Sequence, residues 1–185
     1  MNFELEDNDV AVNILDNYSM VNGLNLIGCS FIDIDASSDA TNGNRALHSS
    51  GQNPEDCAKN VVIQGCYFKD LHQGIKINCL ENLTVTDNQF YGIKAHTMLL
   101  NGTKSNVGGV IEIRDNKIGI SMGERFIRAT SIAANAEITV SGNIVTDGIP
   151  MGADDDIVKI TGIHADATVT VDNTNSWNGK TVTIG

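Results

Sequence analysis

One eight-residue pattern returns six times along this chain, and it constrains the fold more than any other feature. It runs apolar, any, apolar, any, Gly or Asp, Asn or Cys, any, apolar. The copies read LNLIGCSF, VVIQGCYF, LTVTDNQF, IEIRDNKI, ITVSGNIV and a degenerate VTVDNTNS. Aligned on the Asn/Cys position they fall at Cys29, Cys66, Asn88, Asn116, Asn143 and Thr174, at intervals of 37, 22, 28, 27 and 31 residues. Helical repeats hold a tight period. A fixed motif at variable intervals instead means constant units with insertions between strands.

The alternation inside the motif is strand periodicity, in which every second side chain faces the same way. Leu24/Leu26, Val61/Ile63, Leu83/Val85, Ile111/Ile113, Ile138/Val140 and Val169/Val171 are therefore expected to point inward. The Gly or Asp that follows supplies a corner, since Gly takes positive φ freely and Asp tolerates it. Phe31, Phe68, Phe90, Ile118 and Val145 then form an expected inward column. About ten residues on, a second strand recurs as RALHS, GIKIN, TMLLN, FIRAT and IVKIT, with Leu47, Ile75, Met98, Ile127 and Val158 facing in. Two such strands cannot bury their own inner face. Stacking each unit on the next, about 4.8 Å apart, buries it and places like residues over one another.

The recurring Asn fits such a stack. A buried amide must find partners, and Asn88, Asn116 and Asn143 would find them in one another, as Asn ladders do in cross-β stacks. Cys29 and Cys66 occupy the same column. Parallel side chains one unit apart hold their Cβ atoms too far apart for an unstrained bridge, so small buried thiols are expected there rather than a disulfide. The four cysteines show neither a CxxC pair nor a His-Cys spacing, and no metal site is expected from them.

The Asn column, the Phe column and the short unit NVVIQGCYFKDLHQGIKI resemble the right-handed parallel β-helix proteins of the pectin-lyase-like superfamily, over roughly residues 24–172. The expected fold is thus all-β, a right-handed single-stranded parallel β-helix (a β-solenoid) of about five to six coils. Residues 1–23 form an N-terminal strand or cap region of unassigned register, and residues 24–185 the β-helix. That architecture hosts lyases, hydrolases, esterases, phage adhesins and non-catalytic surface domains, so the resemblance implies a fold more than an activity. The Arg-x-Pro-x-x-Arg motif of pectate lyases is absent. VTDG at 145–148, DDD at 154–156 and GIH at 162–164 look superficially like polygalacturonase motifs, yet all lie within one unit instead of on successive ones.

Charge narrows the partners. The net charge is −11, which disfavours nucleic acid, because binding there needs Lys and Arg to displace phosphate counterions. The centre is the exception: residues 59–128 carry nine bases against six acids. No apolar run approaches the roughly 18 residues of a membrane span, so membrane insertion is not expected. The N-terminus is acidic where a signal peptide begins basic, so a secreted or surface location would mean a signal already removed or a fragment.

Two candidate sites follow. With Ile75, Met98, Ile127 and Val158 inward, His48, Lys76, Leu99, Arg128 and Lys159 should point out in one row, spaced close to the advance of one sugar in an extended chain. Such a row would hold the carboxylates or sulfates of an acidic glycan, Arg128 bidentately and the lysines as point charges. The alternative is an ordinary solvated face. Asp147, Asp154, Asp155 and Asp156 form the second candidate, as the paired carboxylates of glycoside hydrolysis or as calcium ligands; the alternative is a solvated acidic loop. Long insertions on the outer units would flank the row as a shallow groove. The reading preferred from sequence is a carbohydrate-associated, non-catalytic domain of a secreted or surface protein that binds a polysaccharide without a cofactor. A polysaccharide lyase or hydrolase, or a structural adhesin module, are the alternatives. The closing strand TVTIG has no helix to cap it, so end-to-end or side-by-side self-association is expected unless Trp177 and its loop cover the edge.

Overall fold

A computed structural model describes residues 1–6, 9–14, 21–35, 37–39, 41–49, 51, 57–101, 107–119, 123–146 and 156–185. These residues form strands and turns and no helix. In chain order they begin with β1 (Asn2–Leu5) and β2 (Val10–Ile14), then β3 (Asn25–Ile27), β4 (Ser30–Asp33) and β5 (Arg45–Ser49). Next come β6 (Ala58–Gln64), β7 (Tyr67–Lys69), β8 (Gln73–Ile77), β9 (Leu80–Thr86), β10 (Gln89–Tyr91) and β11 (Met98–Asn101). The rest are β12 (Val107–Arg114), β13 (Lys117–Ile118), β14 (Ile127–Ile132), β15 (Glu137–Ser141), β16 (Ile144–Val145), β17 (Asp156–Ile163), β18 (Thr168–Val171) and β19 (Thr181–Ile184).

All strand pairs are parallel. One sheet has six strands in the order β1-β4-β7-β10-β13-β16. The other has thirteen, in two runs. Strands β2, β5, β8, β11, β14, β17 and β19 make one run, and β3, β6, β9, β12, β15 and β18 the other; they join where Val107 of β12 meets Ile132 of β14. Each repeat thus supplies three strands, one to each position, where the sequence pattern suggested two. The reason lies in the eight-residue motif, whose residues on the far side of the corner form a short strand of their own. Gly28, Gly65, Asp87, Asp115 and Gly142 all sit at φ between 58° and 63°, the left-handed region that Gly and Asp accept most readily. The residues after each bend join the six-stranded sheet.

The inward rows lie where alternation puts them. Val61, Ile63, Leu83, Val85, Ile111, Ile113, Ile138 and Val140 are buried, as are Leu47, Ile75, Met98, Ile127 and Val158. Val169 and Val171, on the last repeat, are half-buried. Phe31, Phe68 and Phe90 stack with ring centroids 5.0 and 4.5 Å apart, and Ile118 and Val145 continue the column in register. The N-terminal residues extend both sheets: Phe3 pairs with Phe31 and stacks on it at 4.9 Å, and Val12 pairs with Leu47. At the other end Trp177 packs half-buried against the core, 6.2 Å from Phe126.

The amide ladder runs one step further than the motif alignment implied. Asn88 donates its backbone N–H and its Nδ2 to Asn116 Oδ1, Asn116 does the same to Asn143, and Asn143 to Asn175. Asn175 replaces Thr174 as the sixth position, because VDNTNS carries one more residue between the strand and the corner than ITVSGNIV does. Above the ladder the backbone N–H of Cys29 points at Cys66 Sγ, 3.3 Å away, and both thiols are free. The disulfide joins Cys57 and Cys79 instead, with Cα atoms 4.5 Å apart. They precede Ala58 and Leu80, which are register partners, so the stacking of two repeats brings them together. Closing a loop of this length stabilises by about 3 kcal/mol through the entropy of the unfolded chain.

Candidate functional site

Strand alternation also dictates the outer face of the β5 run. Because Leu47, Ile75, Met98, Ile127 and Val158 are held in the core, the residue after each must turn outward. The register pairs are Asn13 with His48, His48 with Lys76, Lys76 with Leu99, Leu99 with Arg128, Arg128 with Lys159, and Lys159 with Thr183. His48, Lys76, Arg128 and Lys159 thus share one row, with neighbouring positions about 4.8 Å apart. Arg128 is exposed, while His48, Lys76, Leu99 and Lys159 are half-buried. Two residues along the strands lies a parallel polar row, Asn101, Thr130 and Thr161, in which Thr130 Oγ1 bonds Asn101 Oδ1 at 3.1 Å.

At the β14–β17 end these rows enclose an open pocket of about 150 Å³ lined by Arg125, Arg128, Thr130, Lys159 and Thr161. Arg125 comes from the connection before β14, not from a strand, and no periodic signal marks it. At the β5–β8 end Arg45 bonds Gln73 through Nε at 2.9 Å. Burial, with the Arg45 charge adding to it, pushes the Lys76 ammonium below its usual pKa. The face therefore carries Lys76, Arg128 and Lys159, with Arg125 in its pocket, in a chain whose net charge is strongly negative. Among the described residues, Glu124 lies 3.9 Å from Arg125 Nη1 and Asp156 lies 3.9 Å from Lys159 Nζ.

His96, just before β11, lies beneath this face and is 4% exposed. Its Nε2 is 3.0 Å from Glu124 Oε2 and 3.4 Å from Arg128 Nη1. The two neighbours ask opposite things of Nε2, since the carboxylate needs a donor and the guanidinium an acceptor. The shorter contact decides, so Nε2–H donates to Glu124. Nδ1 has no hydrogen-bond partner among the described residues, and a proton there would be a buried, unsatisfied donor. Burial first, then the charges of Arg128, Arg125 and His72, lower the His96 pKa to about 4. A depressed histidine binds its proton more readily unfolded than folded, so its contribution to stability is present above about pH 6.5 and is lost as the pH falls toward 4. A nitrogen-detected NMR titration should show the His96 ring neutral, as the Nε2–H tautomer, at pH 5; a ring half-protonated near pH 6.5 would contradict this arrangement.

The acidic candidates divide. Asp147, Asp154 and Asp155 lie outside the described residues, and the calcium option with them. Asp156 opens β17, where its Oδ1 accepts from Thr181 and Thr183 hydroxyls at 2.9 and 2.8 Å, and those bonds hold its carboxyl below the usual range. It ties β19 to β17. Among the insertions expected to flank the row, the connection before β5 reaches His72, whose Nδ1 is 2.8 Å from the Asp39 carbonyl. The His72 charge bears on that of His96, which lies 24 residues further along the chain. No family model, no curated protein and no solved structure matches the chain.

Proposed function

We propose that this chain is a right-handed parallel β-helix of the pectin-lyase-like kind, a β-solenoid, whose β5-run face binds an acidic polysaccharide as a domain of a secreted or surface-displayed protein. The repeated three-strand order, the parallel pairing of each strand with its equivalent in the next repeat, and the amide ladder support the fold. The observation that carries the function is the in-register row Lys76–Leu99–Arg128–Lys159 ending in the Arg125 pocket. Cations spaced at one or two interstrand distances can each meet one anionic group of an extended glycan, with the Thr161 hydroxyl as a further donor. Like charges on adjacent strands disfavour the unliganded sheet, and a polyanion relieves that repulsion. The Cys57–Cys79 disulfide suits an oxidising, extracytoplasmic compartment.

Titration of the protein with acidic oligosaccharides in low salt tests the reading. Replacing Lys76→Ala together with Arg128→Ala removes two charged contacts, each worth about 2 kcal/mol when desolvated, so affinity should fall by roughly two orders of magnitude or more. Full-strength binding by the double variant would exclude this face as the site. Binding without formation of unsaturated or newly reducing ends separates a binding domain from a lyase or hydrolase.

A further inference from the structure

We propose that Leu99 makes this face selective for an acidic polysaccharide in which charged and uncharged sugars alternate. The inference rests on the polysaccharide-binding reading above and specifies its ligand. Leu99 is the one apolar side chain in the outward row, whose other members are Asn13, His48, Lys76, Arg128, Lys159 and Thr183. It lies in register between Lys76 and Arg128. Those two cations are therefore two strand spacings apart, about 9.6 Å. That span covers two sugars of an extended chain lying across the strands, with the second sugar seated over Leu99.

The three positions ask for different groups. On one side Lys76 stands in the outward row between His48 and Leu99, a point charge that an anionic group over it meets. On the other side Arg128 shares its pocket with Arg125, Lys159, Thr130 and Thr161, so that the guanidinium groups of Arg125 and Arg128 and the Lys159 ammonium line one space. Both flanks reward negative charge. Between them Leu99 offers no donor. A carboxylate placed over it would give up part of its hydration and receive nothing in return, whereas the C–H face of a neutral sugar loses little water there and buries apolar surface. A polymer charged on every sugar must place a carboxylate in that unfavourable position between the Lys76 and Arg128 subsites.

Calorimetric titration of the whole chain with hyaluronan oligosaccharides, carrying a carboxylate on every second sugar, and polygalacturonate oligosaccharides of equal sugar number, carrying one on every sugar, tests this at a single ionic strength. Hyaluronan is expected to bind at least tenfold tighter despite having half the charge. Leu99→Lys should shift that ratio toward polygalacturonate by about tenfold, and Leu99→Gln should shift it the same way by a smaller factor. The side chain points outward, so circular dichroism should show both variants folded; if Leu99→Lys is not, Leu99→Gln carries the comparison. Polygalacturonate binding as tightly as hyaluronan to the unaltered chain, or a ratio unmoved by either substitution, overturns the alternation and leaves the binding face standing. Binding of neither polymer overturns both.

Discussion

Asn116→Ala should destabilise the protein by about 4 kcal/mol and lower its melting temperature by roughly 10 °C. Asn116 is fully buried in mid-ladder. Its Oδ1 accepts from both the backbone N–H and the Nδ2 of Asn88, while its Nδ2 donates to the Val85 and Arg114 carbonyls and to Asn143 Oδ1. Alanine removes every one of these side-chain groups. Asn88 Nδ2 keeps one bond, to the Ile63 carbonyl, but its backbone N–H faces a void. An orphaned buried donor costs about 1–3 kcal/mol, and the space left by the amide adds to that. Urea unfolding gives the magnitude. Hydrogen exchange gives the mechanism, since the Asn88 amide should lose protection before its neighbours do. Asn22→Ala is the control: Asn22 begins a second, solvent-facing amide file with Asn60 and Asn82, where water can replace what is lost, and less than about 1 kcal/mol is expected. Equal effects at Asn116 and Asn22 would mean that the inner ladder contributes no more than a surface contact.

Phe68→Ala is expected to cost a similar amount, about 3–5 kcal/mol. The ring is fully buried, with Phe31 stacked at 5.0 Å on one face and Phe90 at 4.5 Å on the other. Truncation leaves a ring-sized void between two flat neighbours that are held by different strands and cannot close over it. Phe68→Leu restores most of the volume and should recover more than half of the loss. Phe3→Ala removes a ring that stacks on Phe31 alone and is only half-buried, so about 1–2 kcal/mol is expected. Equilibrium unfolding of the three variants should rank them in that order. A Phe3 variant as damaged as the Phe68 variant would show that stability in this column does not depend on having neighbours on both faces.

The row of Leu47, Ile75, Met98, Ile127 and Val158 was legible to the residue, and with it the outward row of His48, Lys76, Arg128 and Lys159. A strand alternates on a period of two, so one buried residue assigns its neighbours, and the recurring motif supplied the anchor for each strand. The corner Gly and Asp residues were legible for a similarly local reason. The third strand of each repeat was not, because the stretch beyond the corner is only two to four residues long, as in QFY after Asp87, too short to display an alternation of its own. The Cys57–Cys79 pair left a faint trace, two cysteines separated by the same 22 residues as Cys66 and Asn88, but spacing alone does not distinguish stacking from bonding.

Arg125, His96 and Glu124 left no trace. His96 and Arg125 each stand two residues before the register partners Met98 and Ile127, but Arg45, Gln73 and Asp156 hold that place in other repeats, so no residue type recurs there to mark it. What the sequence determined by itself was which side chains face the core and which rows they join, because both follow from alternation within a few consecutive residues. Only the tertiary structure decided which groups from separate repeats come within bonding distance: the Arg125–Arg128–Lys159 pocket, the His96–Glu124 contact and the disulfide. Those encounters depend on how connections of unequal length settle against their neighbours, and nothing local in the chain encodes that.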